Sequence, residues 1–530
     1  MKNHFLLFLL ISLSFNTHAQ SQFNRAYGQH LQYDEFMSVC ATPDGGYAFF
    51  GNTVNPTSGL FDFLLVKVNN SGVQQWSKSY SYATDIFGSK IVCNNAGDLF
   101  FVGSTYENAP PFDDIVLVKA NSTGDIIWSN RYGGSDIDDA TDMVLDTAGN
   151  IVISGNTYSF GTALKSGFAI KTDTSGAFIW SKTYSQNLSQ EFNGILNTKD
   201  GGYLFTGFTQ KPGGFNLEGY VVKANSNGLI LWSKRLGGNG TEIFYHACQD
   251  AAQDIYIAGT ASTGTINNSL DGWLVKMDNS GANTLLNYTY GNASIDRIYN
   301  VLFNGGTSLT CTGHSNNNGG FENNLYLDIN KTTGTLSGSS LLSGVNNGNS
   351  RAYATIYGNS GLVQAGYIIH PGDTTGDAYA VKYSSMSPCQ IVLANITSTN
   401  QSFNFNYADS SGSISSTANV ITNPIVLIPN AITINPTTFC AVVSTNTIDK
   451  IFRSVQLTPN PANTMLKITI DRIDTEPIKV KILDITGHDL LHGVITENEL
   501  QVSVADLKPG VYQVLLEEPL PTVRKFIKID

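Results

Sequence analysis

The feature that most constrains this chain is an internal repeat of 52 residues. Four tryptophans follow one another at this spacing in similar contexts, "QQWSKSY", "IIWSNRY", "FIWSKTY" and "ILWSKRL": Trp76, Trp128, Trp180 and Trp232. Upstream of each tryptophan lies an "LVK"-like segment, and upstream of that lies a segment that ends in glycine. This glycine recurs seven times: Gly51, Gly103, Gly155, Gly207, Gly259, Gly313 and Gly366. A period of this length predicts seven similar structural units.

Each unit predicts four short strands, which we name A to D. Strands A and B are joined by turns such as Asp44-Gly45-Gly46, and strands C and D by turns such as Asn121-Ser122-Thr123-Gly124. Short runs of Val, Ile, Phe and Tyr between such turns are typical of hairpins, and glycine supplies the positive φ that closes a tight turn. We therefore predict an all-β fold, a seven-bladed β-propeller of four-stranded antiparallel blades, over residues 20–385.

The two ends of the repeat array predict how the ring closes. Residues 23–28, "FNRAYG", align with strand D but have no strands A to C before them, whereas the seventh unit has no strand D of its own. We expect the N-terminal strand to complete blade 7, which limits exposed sheet edges. The unit resembles the repeats of secreted bacterial seven-bladed β-propellers. This resemblance implies a fold and no particular activity, because propellers host many unrelated functions.

The first 19 residues predict export. Lys2 precedes an apolar run from Phe5 to Phe15, and Thr17-His18-Ala19 follows, which is the pattern of a signal peptide. The apolar run is too short for a transmembrane helix, and we expect no transmembrane segment in the mature chain. The formal net charge is -12 and no basic run is present, so a nucleic-acid partner is not expected.

Residues 386–450 differ in composition from the repeats. They are rich in Ser, Thr and Asn, and we interpret them as a linker or a small β segment. Cys389 and Cys440 lie near the two ends of this segment. Export permits disulfides, so we predict a bond between these two cysteines, with two free thiols as the alternative.

Residues 451–530 predict a separate small β-sandwich, because their apolar residues alternate in several short runs. The order of motifs resembles the C-terminal sorting domain (type A) of type IX secretion cargo in Bacteroidota. The matching residues are Pro459, Asn460, Pro461, Gly487, Gly510, Tyr512, Lys525 and Lys528. The resemblance implies recognition by the type IX machinery, passage across the outer membrane, removal of the domain, and release or attachment at the cell surface.

Acidic residues at the start of strand A form the main candidate site. They lie 16 to 18 residues before the repeated glycine: Asp34, Asp85, Asp138, Glu191, Glu242 and Asp296. We expect a rough ring of carboxylates at the mouth of the channel, which could bind Ca²⁺ or a cationic ligand. The alternative is that each acid accepts hydrogen bonds from its own loop. We predict no other cofactor, and we expect the repeated tryptophans to pack between blades.

Blade 6 departs most from the repeat, and such departures are where a function is most often added. Its candidates are His314, Glu322 and Asp328. No catalytic motif is evident in the sequence. We therefore predict a binding module for an extracellular protein or glycan. The alternatives are an extracellular polysaccharide lyase or hydrolase that uses the channel, and a structural or adhesive surface component.

Overall fold

The fold is taken from a computed structural model of the chain. It describes residues 23–28, 32–107, 113–161, 164–185, 188–238, 240–262, 270–291, 295–318, 321–342, 349–359, 361–369, 375–383, seven short strands between 391 and 440, and 452–472, 478–484, 489–496, 498–516 and 522–529. These residues contain strands and turns and no helix. No helix within these ranges is therefore long and apolar enough to cross a membrane.

Seven antiparallel sheets contain the predicted strands in the order A-B-C-D. Strands A are Asp34–Ala41, Asp85–Cys93, Asp138–Leu145, Gln190–Asn197, Glu242–Gln249, Asp296–Phe303 and Ser350–Gly358. Strands B are Tyr47–Val54, Leu99–Tyr106, Ile151–Thr157, Tyr203–Gln210, Ile255–Ser262, Ser308–Asn318 and Gly361–Ile369. Strands C are Phe61–Val68, Ile115–Ala120, Ser166–Thr172, Leu217–Ala224, Leu270–Met277, Phe321–Asn330 and Gly376–Tyr383. Strands D are Gln74–Ser81, Ile126–Gly133, Phe178–Ser185, Ile230–Leu236, Thr284–Gly291, Leu336–Leu342 and, for blade 7, Phe23–Gly28.

The seven sheets form a closed ring. Each strand A packs against strand A of the next blade, and blade 7 packs against blade 1, so the A strands surround a central channel. The N-terminal strand pairs with strand C of blade 7, with Tyr27 opposite Ala378. Apolar side chains fill the space between neighbouring blades, such as Phe50, Phe63 and Phe101 between blades 1 and 2. The predicted seven-bladed fold and its closing strand are confirmed.

A fifth strand lies on the outer edge of every blade, and all seven come from the segment between residues 391 and 440. We call these seven strands the belt. In chain order they are Ile391–Val392, Thr397–Asn400, Ala408–Asp409, Ile414–Thr417, Ile421–Pro424, Ile428–Ala431 and Asn435–Cys440. They pair antiparallel with strand D of blades 6, 5, 4, 3, 2, 1 and 7 in turn. The belt therefore follows the ring in the direction opposite to the repeats.

Residues 442–530 belong to a second compact unit. Its strands are Phe452–Thr458, Met465–Arg472, Ile478–Leu483, Asp489–Ile495, Glu499–Ser503, Gly510–Leu516 and Thr522–Lys528, in sheets of three and four strands. The Asn460 side chain accepts a hydrogen bond of 2.9 Å from the Ile527 amide, which fastens the Pro459–Pro461 turn to the last strand. The Tyr512 hydroxyl donates to the Lys508 carbonyl at 2.7 Å. Gly487 and the Lys525 side chain lie outside the described residues.

Candidate ligand site in the channel

The six predicted acids do not occupy one repeat position. Four of them pair with the residue two places after the repeated glycine of strand B: Asp34, Asp138, Glu242 and Asp296. In blades 2 and 4 this position holds Ile86 and Gln190. Asp85 and Glu191 lie one residue to either side, and neighbouring residues of a strand face opposite ways. The six acids of the predicted ring therefore occupy three adjacent positions of strand A rather than one.

The four equivalent acids are buried. Asp138 accepts hydrogen bonds of 2.7 Å from the Gly134 amide and from the Ser159 hydroxyl. Asp85 accepts one of 2.7 Å from the Phe61 amide. These contacts are of the kind expected if the acids cap loops.

Two of the acids pair with lysines. Glu191 lies 3.0 Å from Lys165, and Glu242 lies 3.2 Å from Lys211. Within the described part of the chain, no group of three or more His, Cys, Asp or Glu side chains is placed to hold a metal ion. A Ca²⁺ ion at these acids stays a prediction.

A β-bulge on every strand A shapes the channel wall. One residue of each strand A is skipped in the pairing with strand B: Met37, Ser89, Thr141, Asn193, Tyr245, Tyr299 and Tyr353. A bulged residue is released from the ladder, and bulges often re-aim a side chain. Because strand A is the innermost strand, these seven side chains form a ring around the channel.

The ring of bulged residues is strongly asymmetric. We call Tyr245, Tyr299 and Tyr353, from blades 5 to 7, the aromatic wall. The Tyr245 and Tyr299 rings meet edge to face at 5.0 Å between centroids, and the Tyr299 and Tyr353 rings lie 6.2 Å apart. All three side chains are only half-buried. The aromatic wall is therefore a continuous, partly accessible surface on one side of the channel.

On the opposite side of the channel, three of the four bulged residues are polar. The Ser89 hydroxyl donates to the Ala140 carbonyl at 2.7 Å, and the Asn193 amide donates to the Phe244 carbonyl at 2.8 Å. These side chains satisfy backbone carbonyls of the next blade. They therefore join blades, whereas the tyrosines contact one another.

Charged and aromatic residues extend the aromatic wall towards the mouth. The guanidinium of Arg351 makes two hydrogen bonds to the carboxylate of Glu322, which also accepts from the Tyr367 hydroxyl at 3.2 Å. Tyr367 stacks on Tyr353 at 5.9 Å, and His314 lies 5.4 Å from Tyr299. The structure thus brings His314 and Glu322 together beside the aromatic wall. Asp328 lies on the same strand as Glu322, six residues further along.

The protonation states in this cluster follow from burial and from the arginines. Burial, assisted by the charge of Arg351, lowers the pKa of His314 to about 4, so the imidazole is neutral at neutral pH. Burial opposes ionisation of Glu322, but the hydrogen bonds and charge of Arg351 outweigh it and hold the pKa below its usual range. Burial raises the pKa of Tyr245 and of Tyr367 to about 12, so both hydroxyls keep their protons.

The repeated tryptophans lie between blades. Each indole ring lies against the glycine of the C–D turn in the following blade. These glycines are Gly124, Gly176, Gly228 and Gly281, and a Cβ atom added to any of them would lie only 2.8 to 3.1 Å from the ring. These glycines have φ between 68° and 80°, so the turn also requires glycine for its backbone. Each indole ring is therefore packed against the next blade rather than presented to the channel.

Comparisons with solved structures find matches of low similarity. A protein of unknown function from Dyadobacter fermentans is similar over 68% of this chain and 98% of its own, with 11% identity and a TM-score of 0.41. Sqt1 from Chaetomium thermophilum is similar over 70% of this chain and 99% of its own, with 11% identity and a TM-score of 0.35. No curated protein matches the sequence at a significant level.

The sorting region has a specific match. Residues 456–529 match the family model described as the secretion system C-terminal sorting domain. This range contains every residue on which the resemblance to type IX cargo was based, including Asn460 and Tyr512. The protein therefore carries a type IX secretion sorting domain and is secreted across the outer membrane, to the cell surface or beyond it.

Proposed function

We propose that the exported propeller is a binding module that holds an extracellular glycan against the aromatic wall. The observation that carries this proposal is the run of three tyrosines, Tyr245, Tyr299 and Tyr353, at one repeat position of neighbouring blades. Four other blades have Met, Ser, Thr or Asn at that position, so the fold itself does not require an aromatic residue there.

The chemistry of the wall suits a sugar. Tyrosine combines a flat apolar ring with a hydroxyl, so it can pack against the apolar face of a sugar ring and bond to its hydroxyl groups. Ligand sites are commonly concave, aromatic and furnished with a few converging polar groups. Here Glu322 and Arg351, whose side chains are 17% and 30% exposed, supply such groups beside the rings, whereas Tyr367 and His314 are buried.

The first experiment is a glycan array with the purified full-length chain, read with Ca²⁺ and with a chelator. We compare wild type with Tyr299→Ala, which removes the central ring, and with Thr141→Ala, its counterpart on the polar side. Loss of a tyrosine from the centre of a binding surface typically costs about 2 kcal/mol, which is roughly 30-fold in affinity. Thr141→Ala is expected to bind as wild type does. Equal binding by the two variants, or no glycan bound in either buffer, would contradict the proposal.

A second candidate function is a polysaccharide lyase or hydrolase. The observation that favours it is the asymmetric set of groups with displaced pKa values, among them His314 and Glu322, because such sets are concentrated in active sites. The ion pair with Arg351 keeps Glu322 ionised, which makes it a poor proton donor. Incubation of the protein with any glycan that the array identifies distinguishes the two functions. An enzyme would produce new reducing ends, which a binding module does not.

A further inference from the structure

We infer that the glycan held at the aromatic wall carries an anionic group, such as the carboxylate of a uronic acid, and that Arg297 binds it. This inference rests on the proposed function and specifies the class of ligand. The evidence lies one residue after the position of the buried acids on strand A. The side chain at this position differs in charge from blade to blade.

Charges are segregated around the channel at this repeat position. From blade 1 to blade 7 the residues are Glu35, Phe87, Asp139, Glu191, Ile243, Arg297 and Arg351. Carboxylates occupy blades 1, 3 and 4, whereas both cations lie on blades 6 and 7. The cations therefore share the side of the channel that carries the aromatic wall.

Most charges at this level already have partners. Arg351 is bound by Glu322, and Glu191 is bound by Lys165 at 3.0 Å. Glu35 accepts hydrogen bonds from Asn52 at 2.8 Å and from the Tyr33 hydroxyl at 2.9 Å. Arg351 and Glu191 are therefore balanced by opposite charges, and the Glu35 carboxylate is satisfied by hydrogen bonds.

Arg297 is different. Among the described residues, no carboxylate lies within 4.0 Å of its guanidinium, and its Nε is buried with no hydrogen-bond partner. Its charge acts on both Tyr245 and His314, which places it between the aromatic wall and the blade 6 cluster. His314 is neutral at neutral pH, and Arg351 is paired with Glu322. Within the described ranges, Arg297 is therefore the cation beside the aromatic wall that no carboxylate of the protein balances.

A buried cationic group without an opposite charge is unfavourable and favours the binding of an anion. A ligand carboxylate balances this charge and can accept two parallel hydrogen bonds from the outer N–H groups of the half-buried guanidinium. A neutral sugar hydroxyl can accept a bond but does not balance the charge. The arrangement therefore selects an acidic sugar over a neutral one of the same shape.

The test compares acidic oligosaccharides with their carboxyl-reduced, neutral counterparts. The probes are oligogalacturonate, oligomannuronate and hyaluronan oligosaccharides, and affinities are measured by titration calorimetry on the full-length chain. Wild type is expected to bind at least one acidic probe about 10-fold or more tightly than its reduced form. Arg297→Gln should abolish that preference and leave the reduced form bound as before, and Arg297→Lys should retain part of it. Lys199→Gln, which removes an exposed positive charge elsewhere, is the matched control.

The outcomes separate this inference from the proposed function. If acidic and reduced probes bind equally, or if Arg297→Gln keeps the preference, the anionic ligand is refuted and the glycan site stands. If neither form of any probe binds while the array identifies a neutral glycan, the anionic ligand is again refuted. If no glycan binds at all, both proposals fail. Retained affinity of Arg297→Gln for a reduced probe shows that the variant is folded.

Discussion

Carboxylates buried between blades are a recurring feature at the scale of single residues. Asp138 of blade 3 lies near Asp114 of blade 2, and Glu242 of blade 5 lies near Glu218 of blade 4. Burial raises the pKa of Asp138 to about 7, and the charge of Asp114 adds to this effect. Burial also raises the pKa of Asp114 and of Glu242 above the usual range. The junctions between blades are therefore sensitive to pH.

Asp138→Asn is expected to reduce the pH dependence of stability. Between pH 4 and pH 7 folded Asp138 holds a proton that the unfolded chain has already released, so wild-type stability falls as the pH rises through this window. Asparagine cannot ionise, so the variant should be stabilised relative to wild type at pH 8 by on the order of 2 kcal/mol, and much less at pH 4. Melting temperatures of both proteins at the two pH values test this.

Asp44→Asn is expected to change stability in the direction opposite to Asp138→Asn, because the pKa of Asp44 is lowered rather than raised. Hydrogen bonds from Lys67 and Thr42 outweigh the effect of burial and lower the pKa of Asp44 to about 2, so its ionised form stabilises the fold. This contribution is present above pH 4 and is lost as the pH falls towards 2. Asp44→Asn should therefore be destabilised at pH 8. If both variants shift the melting temperature in the same direction at pH 8, the assignment of these pKa values is incorrect.

The residues of the candidate site were only partly predictable from the sequence. The repeat shows the strand-A acids, but the alignment slips by one residue at Asp85 and Glu191, and such a slip moves a side chain to the other face. An alignment of the seven strands A in the observed pairing places Tyr245, Tyr299 and Tyr353 at the same repeat position. The bulge itself leaves no signal in a single strand, since it appears only when two strands are paired.

At the scale of elements, strand D joins each blade to the next. Its tyrosine donates a hydrogen bond to the carbonyl of the C–D turn glycine in the following blade, at 2.7 to 2.9 Å in five blades. The N-terminal strand that completes blade 7 makes the same contact, because the Tyr27 hydroxyl donates to the Gly72 carbonyl of blade 1. In blades 4 and 6 leucine occupies the position, as Leu236 and Leu342.

Tyr132→Phe removes one of these hydrogen bonds and keeps the ring. Tyr132 is fully buried and its hydroxyl lies 2.8 Å from the Gly176 carbonyl. The variant should lose about 1 to 2 kcal/mol, because the carbonyl loses the shorter of its two side-chain hydrogen bonds and the Asn130 amide loses the hydroxyl as an acceptor. Tyr158→Phe, at an exposed tyrosine, is the control and should change little. Denaturant unfolding of the two variants measures the difference, and equal midpoints would refute a stabilising role for the bond.

The four repeated strands were predictable and the belt was not. Strands A to D recur every 52 residues with turn glycines between them, which is a strong pattern. The belt strands are two to six residues long and are stabilised by the edges they cover, so local sequence says little about them. The available signal is the spacing of Ile414, Ile421 and Ile428, which lie seven residues apart and begin successive belt strands.

At the scale of the whole molecule, the belt covers the outer edge of every sheet. Without it, strand D of each blade would present unpaired N–H and C=O groups, which promote edge-to-edge association. A chain ending at residue 385 should therefore aggregate and melt at a lower temperature than a chain ending at residue 450, which keeps the belt and also lacks the sorting domain. Light scattering and thermal melting compare the two. Monomeric behaviour and equal melting of both chains would show that the belt is dispensable.

The two ends of the belt lie on neighbouring blades, which gives the proposed Cys389–Cys440 disulfide a structural consequence. Ile391, two residues after Cys389, pairs with Leu342 of blade 6, and Cys440 pairs through its backbone with Asn24 of blade 7. Cys389 and the Cys440 side chain lie outside the described residues. A bond between them would close the belt around the whole ring and hold its last strand over the strand that completes blade 7.

Closing a loop of about 50 residues stabilises a fold by about 4 kcal/mol in the chain-entropy model. We expect peptide mapping of the exported protein, without reduction, to recover Cys389 and Cys440 in one linked peptide. A reductant should lower the melting temperature of wild type and leave that of the Cys389→Ser, Cys440→Ser double variant unchanged. Cys248 and Cys311 are buried and carry no disulfide in the structure, so they serve as internal controls for the mapping. Recovery of Cys389 and Cys440 as free thiols would leave the propeller closed by hydrogen bonds and packing without a covalent link between the belt ends.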